Sequence, residues 1–290
     1  MAPADVPRPD TDGPGARRAA AARRPLPRRL LFAAGGVLAV AGGGAAVLGL
    51  RGRGGGDRDD PQAPPFSAQF GDSGLVTNEY AYRHPGAAGA RVDADWSVTS
   101  GSLFARDGDG WTGRPDTGET GTDSRSATDS AVFRLVTRRR DFADVTVRSA
   151  ILLHRPVSTP RTPRQDYDGG HIWLRYHSPE ELYALSFRRR DGVVVIKRKV
   201  PASDAAAANG GDYTTVEEAR HAFSYDAWHT VTATARNEQH GVRLRLEIDR
   251  RTVLSTLDTS PGPLRRPGGV GLRADNTELL FRAFTATAAS

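Results

Sequence analysis

The stretch His171-Ile172-Trp173-Leu174-Arg175-Tyr176-His177, followed by Leu182-Tyr183-Ala184-Leu185-Ser186-Phe187-Arg188 and Val193-Val194-Val195-Ile196-Lys197-Arg198-Lys199-Val200, alternates side-chain character with a period of two. That period belongs to half-buried strands, in which residues i and i+2 share a face. The expected core side carries Ile172, Leu174 and Tyr176, then Tyr183, Leu185 and Phe187, then Val194, Ile196, Arg198 and Val200. The opposite side carries His171, Trp173, Arg175 and His177, with Leu182, Ala184, Ser186 and Arg188, and with Val193, Val195, Lys197 and Lys199. Asp191-Gly192 is a tight-turn dipeptide and predicts a hairpin between the second and third strands. Of the 40 basic residues in the chain, all but Lys197 and Lys199 are arginine.

Working outward, the same alternation recurs at Ser102 to Arg106, Ser130 to Val136, Val145 to Leu153, Trp228 to Arg236, Val242 to Asp249, Thr252 to Asp258, Gly269 to Ala274 and Leu279 to Thr287. Helical periodicity is almost absent. So many short strands in one domain predict an all-β fold of two packed antiparallel sheets. The long connections Asp107 to Asp129, Arg155 to Gly170 and Pro201 to Tyr213 are rich in Gly, Pro, Asp and Thr, and loops of that length either line a site or are disordered.

The N-terminal part reads differently. Residues 1–29, rich in Ala, Pro and Arg, are expected to be a disordered cytoplasmic segment. Residues 30–50 are uncharged and long enough to cross a hydrocarbon core as a helix. Seven arginines precede them, which orients the N-terminus inside. Twelve of those 21 residues are Gly or Ala, and the segment is entered by Pro27-Arg28-Arg29-Leu30-Leu31-Phe32, which looks like a twin-arginine export signal. A signal and an uncleaved anchor both remain open, and both put the rest outside the cytoplasm, anchored or secreted. Residues 51–65 read as a flexible linker and 66–290 as the folded domain. Ten of the 40 basic and six of the 34 acidic residues lie in positions 1–65, leaving 30 against 28 for the domain. A balance of about +2 is a weak footprint for nucleic acid and argues against that partner. The absence of cysteine excludes disulfides, thiolate metal sites and a cysteine nucleophile.

Trp228-His229-Thr230-Val231-Thr232-Ala233, Leu244-Arg245-Leu246-Glu247-Ile248-Asp249, Gly269-Val270-Gly271-Leu272-Arg273 and Phe281-Arg282-Ala283-Phe284 resemble the closing strands of the concanavalin A-like lectin/glucanase superfamily, including its laminin G-like domains. Phe66-Ser67-Ala68-Gln69-Phe70 looks like the first strand, which pairs beside the last. The resemblance covers roughly residues 66 to 290 and implies a two-sheet jelly-roll sandwich that binds sugars on one sheet face. It is weak for function, since that superfamily includes lectins, glycosidases, lyases and adhesion domains. It also implies a calcium position between the first and last strands, for which Asp72 and Asp275 are the candidates. Arg282 stands where related sequences commonly carry an Asp.

These readings converge on one candidate ligand-binding face: His171, Trp173, Arg175, His177, Arg188, Lys197 and Lys199. An indole stacks on a pyranose, guanidinium forks bind carboxylates in bidentate fashion, and lysines add point charge. The excess of cations favours an acidic polysaccharide, and a solvated outer face is the competing explanation. Tyr80, Trp96 and Trp111 would extend the platform unless they serve the core. The expected function is therefore an exported or membrane-anchored, lectin-like domain recognising polysaccharide or cell-surface glycan. The alternatives are a polysaccharide lyase or glycoside hydrolase of the same fold, and a structural or adhesion domain. Glu247-Ile248-Asp249 begins the Glu-x-Asp-x-x-Glu pattern of family 16 glycoside hydrolases, but Thr252 occupies the place of the second Glu. No Gly-x-Ser-x-Gly elbow is present to indicate a serine triad.

Overall fold

The computed structural model describes residues 64–118, 121–202 and 211–289. The segments expected at 1–29 and 30–50, and most of the linker 51–65, lie outside the described residues. Among the described residues no helix is long and apolar enough to cross a membrane.

In chain order the elements are β1 (Phe66–Ser67), β2 (Gly74–Asn78), α1 (Glu79–Arg83), β3 (Trp96–Ser100), β4 (Ser102–Arg106), β5 (Asp109–Trp111), β6 (Val132–Thr137), β7 (Val145–Leu153), β8 (Gly169–Ser178), β9 (Glu181–Arg189), β10 (Val193–Pro201), β11 (Gly211–Arg220), β12 (Trp228–Glu238), β13 (Gly241–Ile248), β14 (Arg251–Asp258), β15 (Gly269–Asp275) and β16 (Leu279–Ala288). They form two sheets. One runs β14-β13-β12-β7-β16-β5-β4-β2 with β1 also on β16, and the other runs β11-β10-β9-β8-β15-β6-β3. Every strand pairing is antiparallel, as the all-β expectation required. The first strand does lie beside the last, with Phe66 opposite Ala286.

The period-two pattern explains the packing. Val147, Ile151 and Leu153 with Val231, Ala233, Leu244 and Leu246 come from one sheet, and Ile172, Leu174, Leu185, Phe187, Val194, Ile196 and Leu272 from the other, all within one buried cluster. Each such Leu, Ile or Phe contributes roughly 1.5–3 kcal/mol on burial. The hairpin expected at Asp191-Gly192 is present: the Gly192 N–H donates to the Arg189 carbonyl at 3.0 Å. Gly192 has φ +74°, which a glycine adopts without strain.

The sequence expectations are corrected in three places. The connection read as Pro201 to Tyr213 already contains the start of β11, and the one read as Asp107 to Asp129 contains β5. A one-turn helix, α1, follows β2, with the Asn78 side chain accepting from the Ala81 N–H at 3.0 Å. Trp96 and Trp111 serve the core rather than a platform. Trp96 packs edge-to-face on Phe66 and Phe284, while Trp111 packs beside Phe104 and donates from Nε1 to Glu278 at 2.8 Å.

Candidate functional site

The outer face of the second sheet, away from the sandwich core, holds a cleft of about 510 Å³. It is lined by Arg134, Tyr167, His171, Trp173, Pro179, Ala184, Ser186, Arg189, Lys197, Lys199, Tyr213 and Arg273. Strand register builds it in rows. Arg134 of β6 stands opposite Arg273 of β15, Arg273 opposite His171 of β8, and His171 opposite Ser186 of β9. The next row runs Val136, Gly271, Trp173, Ala184 and Lys197, and beyond it Leu182, Lys199 and Tyr213 stand side by side. Val136, Trp173, Tyr176, Leu182 and Ala184 form the apolar floor.

Five cations therefore enter the cleft from four strands, and among the described residues no carboxylate lines it. Arg273 is held by Asp275, with Nε 2.8 Å from Oδ2 and Nη2 2.8 Å from Oδ1. Arg189 pairs with Asp191, and Lys199 donates to the Pro179 carbonyl at 2.8 Å. No ion pair or hydrogen bond within the described residues engages the side chains of Arg134 and Lys197. Burial lowers the Arg134 pKa, and the facing Arg273 lowers it further. Lys199 is likewise pushed down by burial, then by Arg134 and Arg273. Cations that depress one another in this way favour an anion between them.

The polar wall of the cleft is a buried line. His171 Nδ1 lies 2.6 Å from Ser186 Oγ, and His171 Nε2 lies 2.9 Å from Asp275 Oδ2. Burial works to raise the Asp275 carboxyl, but Arg273 and His171 outweigh it and hold it well below the usual range. Burial pushes His171 down despite Asp275, which favours the neutral ring. With an ionised Asp275 accepting at Nε2, the proton sits on Nε2 and the Ser186 hydroxyl donates to Nδ1.

Of the seven residues expected on the binding face, His171, Trp173, Lys197 and Lys199 line the cleft. Arg175, His177 and Arg188 do not. The register of β8 against β9 shifts between Leu174 and Ser178, and Arg175 has φ +51°. This bulge inverts the alternation. Arg175 turns into the interior and is fully buried, donating from Nη1 to the Arg265 and Arg266 carbonyls and from Nη2 to Asp144 at 3.1 Å and Asn237 at 3.3 Å. Tyr176 turns outward instead and stacks on Trp173 at 5.4 Å, with its phenol pushed up to about 12 by burial. His177, beyond the bulge, faces Arg266, Pro267 and Glu181. A second shift between Gly170 and His171 turns Arg188 away onto the ring of Tyr225, 3.9 Å from its centroid, and Arg189 takes the cleft position.

Trp173 is not an open stacking platform, since it is only 2% exposed, but its Nε1 has no partner. Sequence reasoning missed Arg134, Arg273, Arg189, Tyr167 and Tyr213. The alternation of β6 and β15 could have found the first two. Tyr167 and Tyr213 come from the ends of two long connections that were singled out. Asp275 is not placed as a calcium ligand, because Arg273 and His171 occupy its oxygens. Asp72 is exposed, and among the described residues no group of three or more His, Asp or Glu is arranged to hold a metal. Glu247 and Asp249 lie at the end of β13 and just after it, in the other sheet, where Arg245 and His229 pair with them. Tyr80 lines a separate small cavity with Asn78 and Ser130.

The fold and this face together define a two-sheet antiparallel β-sandwich with a cationic cleft on one sheet. Among solved structures the chain is similar to the carbohydrate-binding module CBM66 from Bacillus subtilis, at 14% identity and a TM-score of 0.46 over 67% of this chain and 95% of that one. It is also similar to the metal-free carbohydrate recognition domain of Emp46p, at 11% identity and a TM-score of 0.45 over 67% and 89%. A third is an endo-1,3-beta-glucanase from Streptomyces sioyaensis, at 12% identity and a TM-score of 0.40 over 80% and 100%. No protein-family profile and no curated protein matches the chain.

Proposed function

We propose that the cleft binds an acidic polysaccharide, and that the chain is an extracytoplasmic, lectin-like binding protein held at or released from the membrane through residues 30–50. The observation that carries this reading is the set Arg134, Arg189, Arg273, Lys197 and Lys199 around one cleft, with no lining carboxylate among the described residues. Guanidinium forks suit carboxylate or sulfate groups, and the Tyr213 hydroxyl suits sugar oxygens. Two facing arginines repel each other across the cleft, and an anionic ligand relieves that repulsion on binding.

A panel of immobilised neutral, uronic-acid and sulfated polysaccharides tests the reading with the full chain. Retention confined to the anionic polymers, weakened by salt and by Lys197→Ala, is the expected result. Equal retention on neutral polymers, or none on any, would overturn it. A polysaccharide-degrading enzyme is the second reading, favoured by the presence of His171, Tyr167 and Tyr213 in the same cleft as acid and base groups. It requires release of unsaturated uronate or new reducing ends from the retained polymer.

A further inference from the structure

Ser186, His171 and Asp275 form one hydrogen-bonded line in which the hydroxyl donates to a neutral imidazole and the imidazole donates to a carboxylate. A histidine buried on a sheet face needs partners, and one partner per nitrogen would satisfy it. The line has three features beyond that need. It lies on the outer face, with Ser186 and His171 both lining the cleft. The base is oriented by an acid that is itself locked by Arg273 through both of its oxygens. The cleft around it is cationic, which is what a developing oxyanion requires.

We propose that Ser186 is an acyl-accepting nucleophile, and that the cleft removes ester-linked acyl groups from sugar hydroxyls of its polysaccharide ligand. Ser186 Oγ attacks the ester carbonyl, its proton passes to His171 Nδ1, and the C–O bond to the sugar breaks. His171 returns the proton to the departing sugar oxygen. Water then attacks the acyl-serine by the same route, releasing a carboxylic acid and restoring Ser186. Asp275 is a positioning residue that fixes the proton on His171 Nε2 so that Nδ1 faces the serine. The serine backbone lies mid-sheet, paired with His171 on one side and Val195 on the other, so side-chain charge takes the part that backbone N–H groups play elsewhere. Lys197 is placed for it, two residues along β10 from Val195, which stands opposite Ser186, and without a carboxylate partner among the described residues. The imidazole nitrogens are used in the reverse sense to the familiar serine hydrolases, and no elbow motif accompanies the serine, which is why sequence alone gave no sign of it.

The sugar-ester specificity rests on the glycan reading above; the nucleophile does not. The test therefore begins with an activated ester that needs no glycan recognition. The full chain is incubated with 4-nitrophenyl acetate, quenched, and mapped by peptide mass spectrometry. Acetylation confined to Ser186, abolished in Ser186→Ala, is expected. His171→Ala should slow acetylation at least about 100-fold, with partial rescue by added imidazole, which a purely structural histidine would not allow. Asp275→Asn should slow acetylation and shift its pH profile, since the amide no longer fixes the proton on His171 Nε2. Absence of acetyl on Ser186 in a chain that unfolds cooperatively would overturn the proposal. Affinity of the unsubstituted chain for uronate oligosaccharides is measured in parallel, so failure of the nucleophile and failure of the glycan reading are seen separately.

Discussion

At the scale of single residues, burial and partners decide which of the chain's many cations act on a ligand. Arg175 looks like a binding residue in sequence, yet its guanidinium joins β8 to Asn237 of the opposite sheet and to Asp144. Arg175→Met is expected to lower stability by roughly 3 kcal/mol in denaturant unfolding, because it leaves those acceptors without their charge partner. Polysaccharide affinity should be unchanged, since Arg175 does not line the cleft. His171 gives a pH signature. Burial holds its pKa below the ordinary value of about 6.5, so on acidification the unfolded chain takes up a proton that the folded chain refuses. The stability the neutral ring contributes is therefore complete above about pH 6.5 and falls below it, by up to about 1.4 kcal/mol per pH unit. The depressed Asp275 acts in the same direction at lower pH, its contribution being lost as pH falls from the ordinary carboxylate range through its folded value. The stability gap between the parent and His171→Gln should accordingly narrow as pH is lowered from about 7 to about 5; a constant gap would mean that folding leaves the ring's pKa unshifted, and a widening gap that the ring is protonated in the folded state.

At the scale of elements, alternation revealed most of the strands and nearly all of the core. Ser102 to Arg106 and Val145 to Leu153 were legible to the residue, the first as a short apolar run between Gly101 and Asp107-Gly108, the second because its buried side chains alternate along the strand. What escaped was of two kinds. Four strands were not expected: β11 buries almost none of its side chains and β5 has three residues, so neither carries a hydrophobic period, while β2 and β3 have only five residues each. The bulges at Arg175 and between Gly170 and His171 leave no mark in the pattern either, yet each turns the residues beyond it to the other face. That is why Arg175, His177 and Arg188 were placed with Trp173, and Tyr176 with the core. Pairing across elements also sets the electrostatics. Arg134 faces Arg273, and like charges directly opposite cost roughly 0.2–1 kcal/mol. Arg134→Gln should raise the unfolding free energy of the unliganded protein by about 0.5 kcal/mol. The same change should weaken binding of an acidic oligosaccharide about tenfold, on the order of one charged hydrogen bond. Loss of stability on this substitution would place a hidden carboxylate partner on Arg134.

At the scale of the whole molecule, net charge hides what matters. Residues 66–290 are close to neutral, yet the fold gathers five cations on one sheet face while carboxylates pair elsewhere, as in Asp258 with Tyr183 and Glu238 with Arg243. Composition argued correctly that the domain carries little net charge, but only tertiary pairing of β6, β15, β8, β9 and β10 could reveal the cleft. The most direct test of its function is calorimetric titration of the full chain with a uronic-acid oligosaccharide and with its neutral counterpart, each at low and high salt. The account expects binding of the acidic oligomer alone, weakening as salt rises and about tenfold weaker in Lys197→Ala. Equal affinity for both oligomers, or affinity indifferent to salt and to Lys197, would contradict it.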